Sequence, residues 1–479
     1  MMNNKYEAVI GLEVHAQLAT NSKLFCGDST LFGAAPNTHV SPITLGHPGT
    51  LPMTNKKAIE YAIKMGLACN CEIERTNYFA RKNYFYPDLP KGYQISQHTT
   101  PICKGGKVKI KTAQGERYVQ LNRIHLEEDA GKSIHDIDPA NTCIDLNRAG
   151  TPLIEIVTEP DLFSAEEAWQ YVTEIRKLVR WLNICDGNME EGSLRCDANV
   201  SIRLKGETKL GTKVEVKNLN SIRNIKKAIE YEIDRMINEV ELGNLIKQQT
   251  RSFDANNDTT FSIRDKEEAN DYRYFPDPDL PEFVLEDAYI QHIEKSLPPL
   301  PEALINKYQT VFGLSNYDAA QLCDDKSTTD YYELIIQHTQ SYKNVANWLL
   351  GPIRQYLNEY SLSIEGLNLP PQLLAALIQL VESGKVNFSI AATRILPVLV
   401  KTHEAPLAIA EQLQMLQVSD SNELEIWVEE AIAAMPDKVA EYKKGKKGLI
   451  GLFVGEVKKR SKGKADPKVV TQLLEEKLK

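Results

Sequence analysis

Polar side chains recur at every second position in Val9-Ile-Gly-Leu-Glu-Val-His-Ala-Gln-Leu18, at Glu13, His15 and Gln17. Side chains two apart in a strand share a face, so a carboxylate, an imidazole and an amide project together from an otherwise apolar segment. A second stretch, His125-Leu-Glu-Glu-Asp-Ala-Gly-Lys132, carries the same chemistry, and Glu155, Glu190, Glu191 and Asp197 follow. Asp197 alternates with Arg195 and Asn199. Carboxylates gathered on one sheet repel each other unless protons or a cation offset their charge. An oxygen-rich set suits Mg²⁺ rather than Zn²⁺, and Mg²⁺ also carries substrate phosphates on its open positions. Any one of these glutamates alone reads as a solvated side chain; the number of clusters is what points to a site.

Cations are interleaved with them. Arg81-Lys-Asn-Tyr-Phe-Tyr-Pro-Asp88 sets Arg81 and Lys82 beside three aromatics, and Asp271-Tyr-Arg-Tyr-Phe-Pro-Asp-Pro-Asp279 repeats the mixture around Arg273. Aromatics that contact a base beside cations that neutralise phosphate suit a nucleotide site, against the plainer reading of core aromatics with arginine at the rim. Gly105-Gly106 and Gly131-Lys-Ser133 lack the full spacing of a phosphate-binding P-loop, so any nucleotide is held in another way.

The elements that must position these groups are short strands. Lys107–Thr112, Tyr118–Ile124, Ser193–Leu204 and Lys213–Lys217 all alternate, as antiparallel strands with one buried face do. Helices interrupt them. Ser164 with Glu167 forms a capping box, and a helix over about 221–241 carries Ile225, Ile229, Ile233 and Met236 on one stripe. The pattern predicts an α+β domain with a large sheet over 1–295. Ser296-Leu-Pro-Pro-Leu-Pro301 is a stiff breaker, after which the strand signal ends. An all-α domain over 296–403, with helical runs such as Gln372–Val381, and a small helical tail over 404–479 complete the expected layout, with a break near His403-Glu-Ala-Pro406.

With 479 residues the chain exceeds one ordinary core. No apolar run reaches the roughly 18 residues that span a bilayer, the N-terminus lacks the apolar core of a secretory signal, and eight cysteines show no paired pattern. A cytoplasmic protein without membrane contact is expected. The net charge of −9 conceals an asymmetry: Lys438 to Lys468 carries +8 and the remainder −17. A basic patch on an acidic protein fits a polyanionic partner, since lysine–phosphate contacts release counterions, although a solvated lysine surface has the same composition.

Val9–His15, Arg81–Pro87, Tyr93-Gln-Ile-Ser-Gln97, His125–Lys132, Met189–Asn199, Asp271–Pro276 and Gly463–Pro467, in this order, resemble the B-subunit family of the aspartyl/glutamyl-tRNA amidotransferases over essentially the whole chain. The resemblance implies a first domain like the catalytic fold of glutamine synthetase and guanidino kinases. It also implies ATP-dependent phosphorylation of the side-chain carboxylate of Glu-tRNA(Gln) or Asp-tRNA(Asn). Ammonia from the glutaminase A subunit then displaces the phosphate, and a small C subunit makes up a heterotrimer. Carried onto this chain, it implies Glu13, His15 and Glu128 as Mg²⁺ ligands, with Glu155, Glu191 and Asp197 as further candidates. Lys82, Glu128 and Arg273 would be catalytic; Arg81, Tyr84 and Arg195 would hold ATP; Lys443, Lys444, Lys446, Lys447 and Lys462 would meet tRNA. Strict alternation sets Glu128 opposite Glu127, so that choice requires the strand to end or bulge there. A tRNA-binding scaffold without catalysis and a metal-dependent phosphohydrolase are the alternatives.

Many members of that family carry a Cys-x-Cys and a Cys-x-x-Cys that hold zinc. Here the matching positions are Cys26, Asp28, Ser41 and Thr44. One cysteine does not satisfy a structural zinc, so no zinc is expected.

Overall fold

The computed structural model describes residues 5–138, 140–265, 272–417, 421–461 and 464–478. It divides into two compact units, the first ending at Leu300 and the second beginning at Pro301. The expected break near 403 falls inside the second unit.

The first unit is built on a large sheet. Its principal strands are β1 (Tyr6–Gln17), β2 (Ala80–Asn83), β3 (Tyr93–Ser96), β4 (Gly115–Glu128), β5 (Pro152–Thr158), β6 (Leu194–Leu204), β7 (Val214–Leu219), β8 (Gln249–Asp254), β9 (Thr259–Asp265) and β10 (Phe275–Pro276). They lie in the order β9-β8-β7-β6-β1-β5-β4-β3-β2-β10. Pairing along this path is antiparallel except between β7 and β8, which run parallel, so the sheet is mixed rather than wholly antiparallel. β7 and β8 are joined by a long helix, the kind of crossover that a parallel pair requires.

One face of the sheet is apolar. Leu12, Val14 and Ala16 on β1, Ile154 and Ile156 on β5, and Ala198 and Val200 on β6 are almost fully buried. Each large aliphatic side chain so buried contributes about 1.5–3 kcal/mol before entropy is counted. Helices α1 (Lys56–Ala68), α2 (Ala165–Trp181) and α3 (Ile222–Glu241) share this core. Ser164 Oγ accepts a hydrogen bond from the Glu167 backbone N–H at 3.1 Å, and Ser221 Oγ does the same for Asn224 at 3.1 Å, which satisfies N–H groups left open at the two helix starts. Ile225, Ile229, Ile233 and Met236 form the buried stripe of α3, as their spacing predicts. The other face of the sheet keeps its polar residues.

The second unit is helical. Toward the chain end, helices Ser421–Ala433, Ile450–Arg460 and Pro467–Lys477 enclose a small core of their own that includes Leu424, Val428, Phe453 and Leu474. No helix among the described residues is long and apolar enough to cross a membrane.

One polar group is locked between α3 and the sheet's edge strands. Glu232 is fully buried and pairs with Arg235 at 2.7 Å and Arg251 at 2.9 Å. Removing the buried carboxylate leaves two partly buried guanidinium groups without their counter-charge, which costs more than losing an exposed pair. We expect Glu232→Ala to lower unfolding stability in urea by roughly 3–5 kcal/mol, and a loss under about 1 kcal/mol would show that water reaches the arginines.

Candidate active site

Strand register assembles the polar face. His125 on β4 pairs with Glu155 on β5, Glu155 with His15 on β1, and His15 with Arg195 on β6, a transverse row across four strands. Glu127 follows His125 on the same face, and Glu13, opposite Asp197, lies beside His15. The row lines a chamber of about 550 Å³ together with Lys82, Tyr84 and Tyr272.

Two ligand sets emerge. One atom each from His15, Glu127 and Glu155 lie within 4.8 Å of one another, and so do atoms of Glu13, Asp197 and Glu215. In the first set, His15 Nε2 is 3.5 Å from Glu127 Oε1 and 3.7 Å from Glu155 Oε2. His125 Nε2 stands 3.1 Å from the same Glu155 oxygen, while its buried Nδ1 has no partner. Burial would drive the His125 imidazolium to release its proton, but the carboxylates of Glu155 and Glu127 reverse this and raise its pKa to about 9. Glu155 is held far below the ordinary carboxylate range: its burial is outweighed by His125 and His15. Two carboxylates and one imidazole suit a hard divalent ion with open positions, so this donor set fits Mg²⁺.

In the second set, a lysine already supplies the cation. Lys217 Nζ lies 2.8 Å from Asp197 Oδ2 and 3.1 Å from Glu215 Oε1. Glu13 accepts from Asn199 Nδ2 at 3.0 Å, and burial, reinforced by the Glu155 charge, pushes its pKa up. Lys82 closes the chamber from β2, with its ammonium 5.0 Å from the centre of the Tyr272 ring and 5.7 Å from that of Tyr84. Desolvation opposes its charge, but Glu127 and Glu155 more than restore it.

Glu13, His15, Lys82, Tyr84, Glu155, Arg195 and Asp197 all line the chamber. Glu128 does not. β4 continues in register through Glu128, so alternation sends its side chain to the opposite face. There it pairs with Lys91 and accepts the Ile95 backbone N–H at 2.9 Å. The residue on the chamber side is Glu127. Arg81 is displaced for the same reason: one position from Lys82, it pairs with Asp277 at 2.8 Å and covers the Tyr93 ring. Arg273 has a positive φ of 45°, and its backbone carbonyl accepts from Asn83 at 2.8 Å; its neighbours Tyr272 and Tyr274 line the chamber, and it does not. Glu191 sits with Glu190 on a turn and belongs to neither ligand set. His125 and Glu127 lie in the stretch that the sequence singles out, whereas Glu215 and Lys217 carry no such signal beyond the alternation in Val214–Leu219, which sets them on one face.

Cys26, Asp28, Ser41 and Thr44 also converge. Cys26 Sγ is 3.3 Å from Thr44 Oγ1, the Ser41 backbone N–H donates to Asp28 Oδ2 at 2.8 Å, and Thr44 donates to the same oxygen. Burial opposes the Asp28 charge, but these hydrogen bonds outweigh it and hold the carboxyl below its usual range. In the second unit Lys443, Lys444, Lys446 and Lys447 are exposed; Lys446 pairs with Glu441 at 3.0 Å, and Lys447 stands 4.2 Å over the Tyr442 ring. Lys462 lies outside the described residues.

The profile of the GatB/GatE catalytic domain matches residues 8–291, and that of the GatB domain matches residues 330–478. A chain from Geotalea daltonii is 50% identical over 477 residues, covering 99% of both chains. One from Geotalea uraniireducens is 49% identical over the same length and coverage, and one from Thermodesulfovibrio yellowstonii is 47% identical over 470 residues, covering 98% of both. Each of the three is named as the B subunit of an aspartyl/glutamyl-tRNA(Asn/Gln) amidotransferase.

The His125 pairing carries a pH signature in the metal-free protein. Its folded pKa of about 9 exceeds the ordinary 6.5, so its stabilisation is complete below 6.5 and lost as pH rises through about 9. In chelator-treated samples, the stability gap between wild type and His125→Asn should shrink across that window. A gap that stays constant would mean that His125 is neutral throughout.

Proposed function

The chain belongs to the B-subunit family of the aspartyl/glutamyl-tRNA(Asn/Gln) amidotransferases, and on that basis we propose that its polar sheet face is the site where a tRNA-borne carboxylate is phosphorylated by ATP. The protein works as part of a ligase complex that converts misacylated Glu- or Asp-tRNA into Gln- or Asn-tRNA. The transverse row His125–Glu155–His15–Arg195, with Glu127 beside it, is the observation that carries this reading.

A carboxylate does not accept ammonia until one of its oxygens becomes a good leaving group. In the first step a side-chain carboxylate oxygen bonds to the γ-phosphorus, the bond from that phosphorus to the bridging oxygen breaks, and ADP departs. In the second, ammonia bonds to the carbonyl carbon, the carbon–oxygen bond to phosphate breaks, phosphate departs and the nitrogen releases a proton. Phosphoryl transfer of this kind needs positioning and charge neutralisation more than covalent help. His15, Glu127 and Glu155 would hold Mg²⁺, which when bound offsets the charge of the phosphate oxygens. Lys82, kept protonated by Glu127 and Glu155, offers a second positive group at the chamber wall. Tyr84 and Tyr272 confine that ammonium between rings. Arg195, fixed by Asp129 at 3.0 Å through both terminal nitrogens, gives a charge that does not move.

The carboxylate-bearing sheet supports the likeness to glutamine synthetase and the guanidino kinases. The separate core formed by Leu424, Phe453 and Leu474 supports a distinct tail domain that meets tRNA through the lysines of 443–447. We further assign the supply of ammonia to the glutaminase A subunit, the bracing of the pair to a small C subunit, and the compartment to the cytoplasm. Cys26, Ser41 and Thr44 surround Asp28 in a hydrogen-bonded knot that offers a single thiol, so we infer that it works without zinc.

Amidation of Glu-tRNA(Gln) by the purified complex with ATP, Mg²⁺ and glutamine tests the assignment. Glu127→Gln should lower the rate by about 10²–10³, while Glu128→Gln, which weakens a pair on the other face, should act mainly on stability. The opposite pattern would return the catalytic role to Glu128. Converting Lys443, Lys444, Lys446 and Lys447 to glutamine should flatten the logarithmic salt dependence of tRNA affinity by roughly 0.7–0.9 for each phosphate no longer neutralised. An unaltered slope would leave these lysines a solvated surface.

A further inference from the structure

The phosphorylated carboxylate made in the first step is open to water as well as to ammonia. When the oxygen of water bonds to the carbonyl carbon, the carbon–oxygen bond to phosphate breaks, phosphate departs, a proton is released and the original carboxylate returns. ATP is then consumed and no amide forms. A site that holds such an intermediate until ammonia arrives must keep water from it. The carboxylates and imidazoles of the transverse row are themselves hydrogen-bonding groups that attract water, so they give no such protection.

Another part of the chamber wall is aromatic. Tyr86, Tyr84, Tyr272 and Tyr274 meet edge to face in sequence, with ring centres 5.8, 6.0 and 6.0 Å apart and interplanar angles of 69°, 70° and 73°. Tyr274 then lies flat on His98, 3.9 Å between centres at 5°. These are the arrangements in which aromatic rings attract one another, so the five rings form a continuous belt. Tyr84, Tyr272 and Tyr274 line the chamber, whereas Tyr86 and His98 are exposed. The belt thus runs from the chamber wall to the surface and sets ring faces between the two. None of its rings belongs to the apolar core, so core packing does not account for them.

The belt is built from two distant parts of the chain and is fastened where they meet. The Asn83 backbone N–H donates to the Tyr272 carbonyl at 2.9 Å, and its side-chain amide donates to the Arg273 carbonyl at 2.8 Å. Arg273 is left-handed at that point, a backbone conformation that costs energy in a residue with a Cβ and persists where its surroundings enforce it. Tyr84 is fixed in turn by its hydroxyl, which donates to Gln94 Oε1 at 3.2 Å. We propose that the belt of Tyr84, Tyr272, Tyr274 and His98 excludes water from the phosphorylated intermediate, so that ammonia takes its carbonyl carbon. Asn83 is then a positioning residue that acts through Tyr272 and Tyr274. The inference rests on the reading of this chamber as the phosphorylation site.

The test is the ratio of ADP formed to Gln-tRNA formed by the purified complex with ATP, Mg²⁺, glutamine and Glu-tRNA(Gln). For the wild type it should be about one, and Tyr274→Leu should raise it about threefold or more while ADP formation still requires Glu-tRNA(Gln). Tyr274→Phe, which keeps the ring and drops the hydroxyl, should hold the wild-type ratio. An unchanged ratio in Tyr274→Leu, or an equal rise in Tyr274→Phe, would overturn the proposal. Loss of tRNA-dependent ADP formation in Tyr274→Leu would do so too, because the ring would then serve phosphoryl transfer itself. Should Tyr274→Leu fail to assemble, His98→Ala decides: it removes the outermost ring at an exposed position and should also raise the ratio, and no rise would overturn the proposal. If the wild-type complex made no ADP in response to Glu-tRNA(Gln), the phosphorylation reading itself would fall, which separates the two failures.

Discussion

Like charges held side by side on one sheet face set the terms for the rest of this structure. Glu13, Glu127, Glu155, Asp197 and Glu215 converge because strand register brings them together, and their repulsion rises as water is excluded. The protein balances them with cations of its own. Glu155 and Glu127 favour the protonated form of His125, Lys217 bridges Asp197 and Glu215, and Arg195 is fixed to Asp129. Each ligand set therefore folds with a counter-charge present, which keeps the sheet stable before any substrate or ion arrives.

The same constraint explains why the apolar face is so uniform. A sheet that concentrates its charges on one side has only the other side with which to build a core, and three helices cover it. Capping hydrogen bonds at Ser164 and Ser221 fix where α2 and α3 begin and so how their apolar stripes meet the strands. The polar face thus depends on helices that pack on the other side of the sheet.

Much of this was legible in the chain itself. Alternation in 193–204 and 213–217, the helix at 221–241 and the Pro-rich break near 300 all correspond to elements of the structure. Glu13 and His15 are where their spacing put them, because a face defined by period two is local information. What stayed hidden was pairing between distant strands. Nothing in Lys213–Lys217 announces that Glu215 will meet Glu13, since that contact depends on β6 lying between them. The misplacement of Glu128 and Arg81 has a simpler cause: alternation favoured Glu127 and Lys82, and in β4 the strand neither ended nor bulged before Glu128. The parallel β7–β8 pair likewise follows from a crossover, which alternation does not register.

β1 is central in the sheet, and its two neighbours, residues 152–158 and 194–204, follow it by more than a hundred residues. During synthesis at about 5–20 residues per second, this strand waits on the order of ten seconds or more before either partner exists. Val9 to Leu18 is apolar on one side and carries unpaired backbone groups along both edges for that time, the form in which strands join the wrong chain. The architecture that places Glu13 and His15 at the middle of the polar face therefore leaves this strand in need of protection on the ribosome until the residues that flank it have been made.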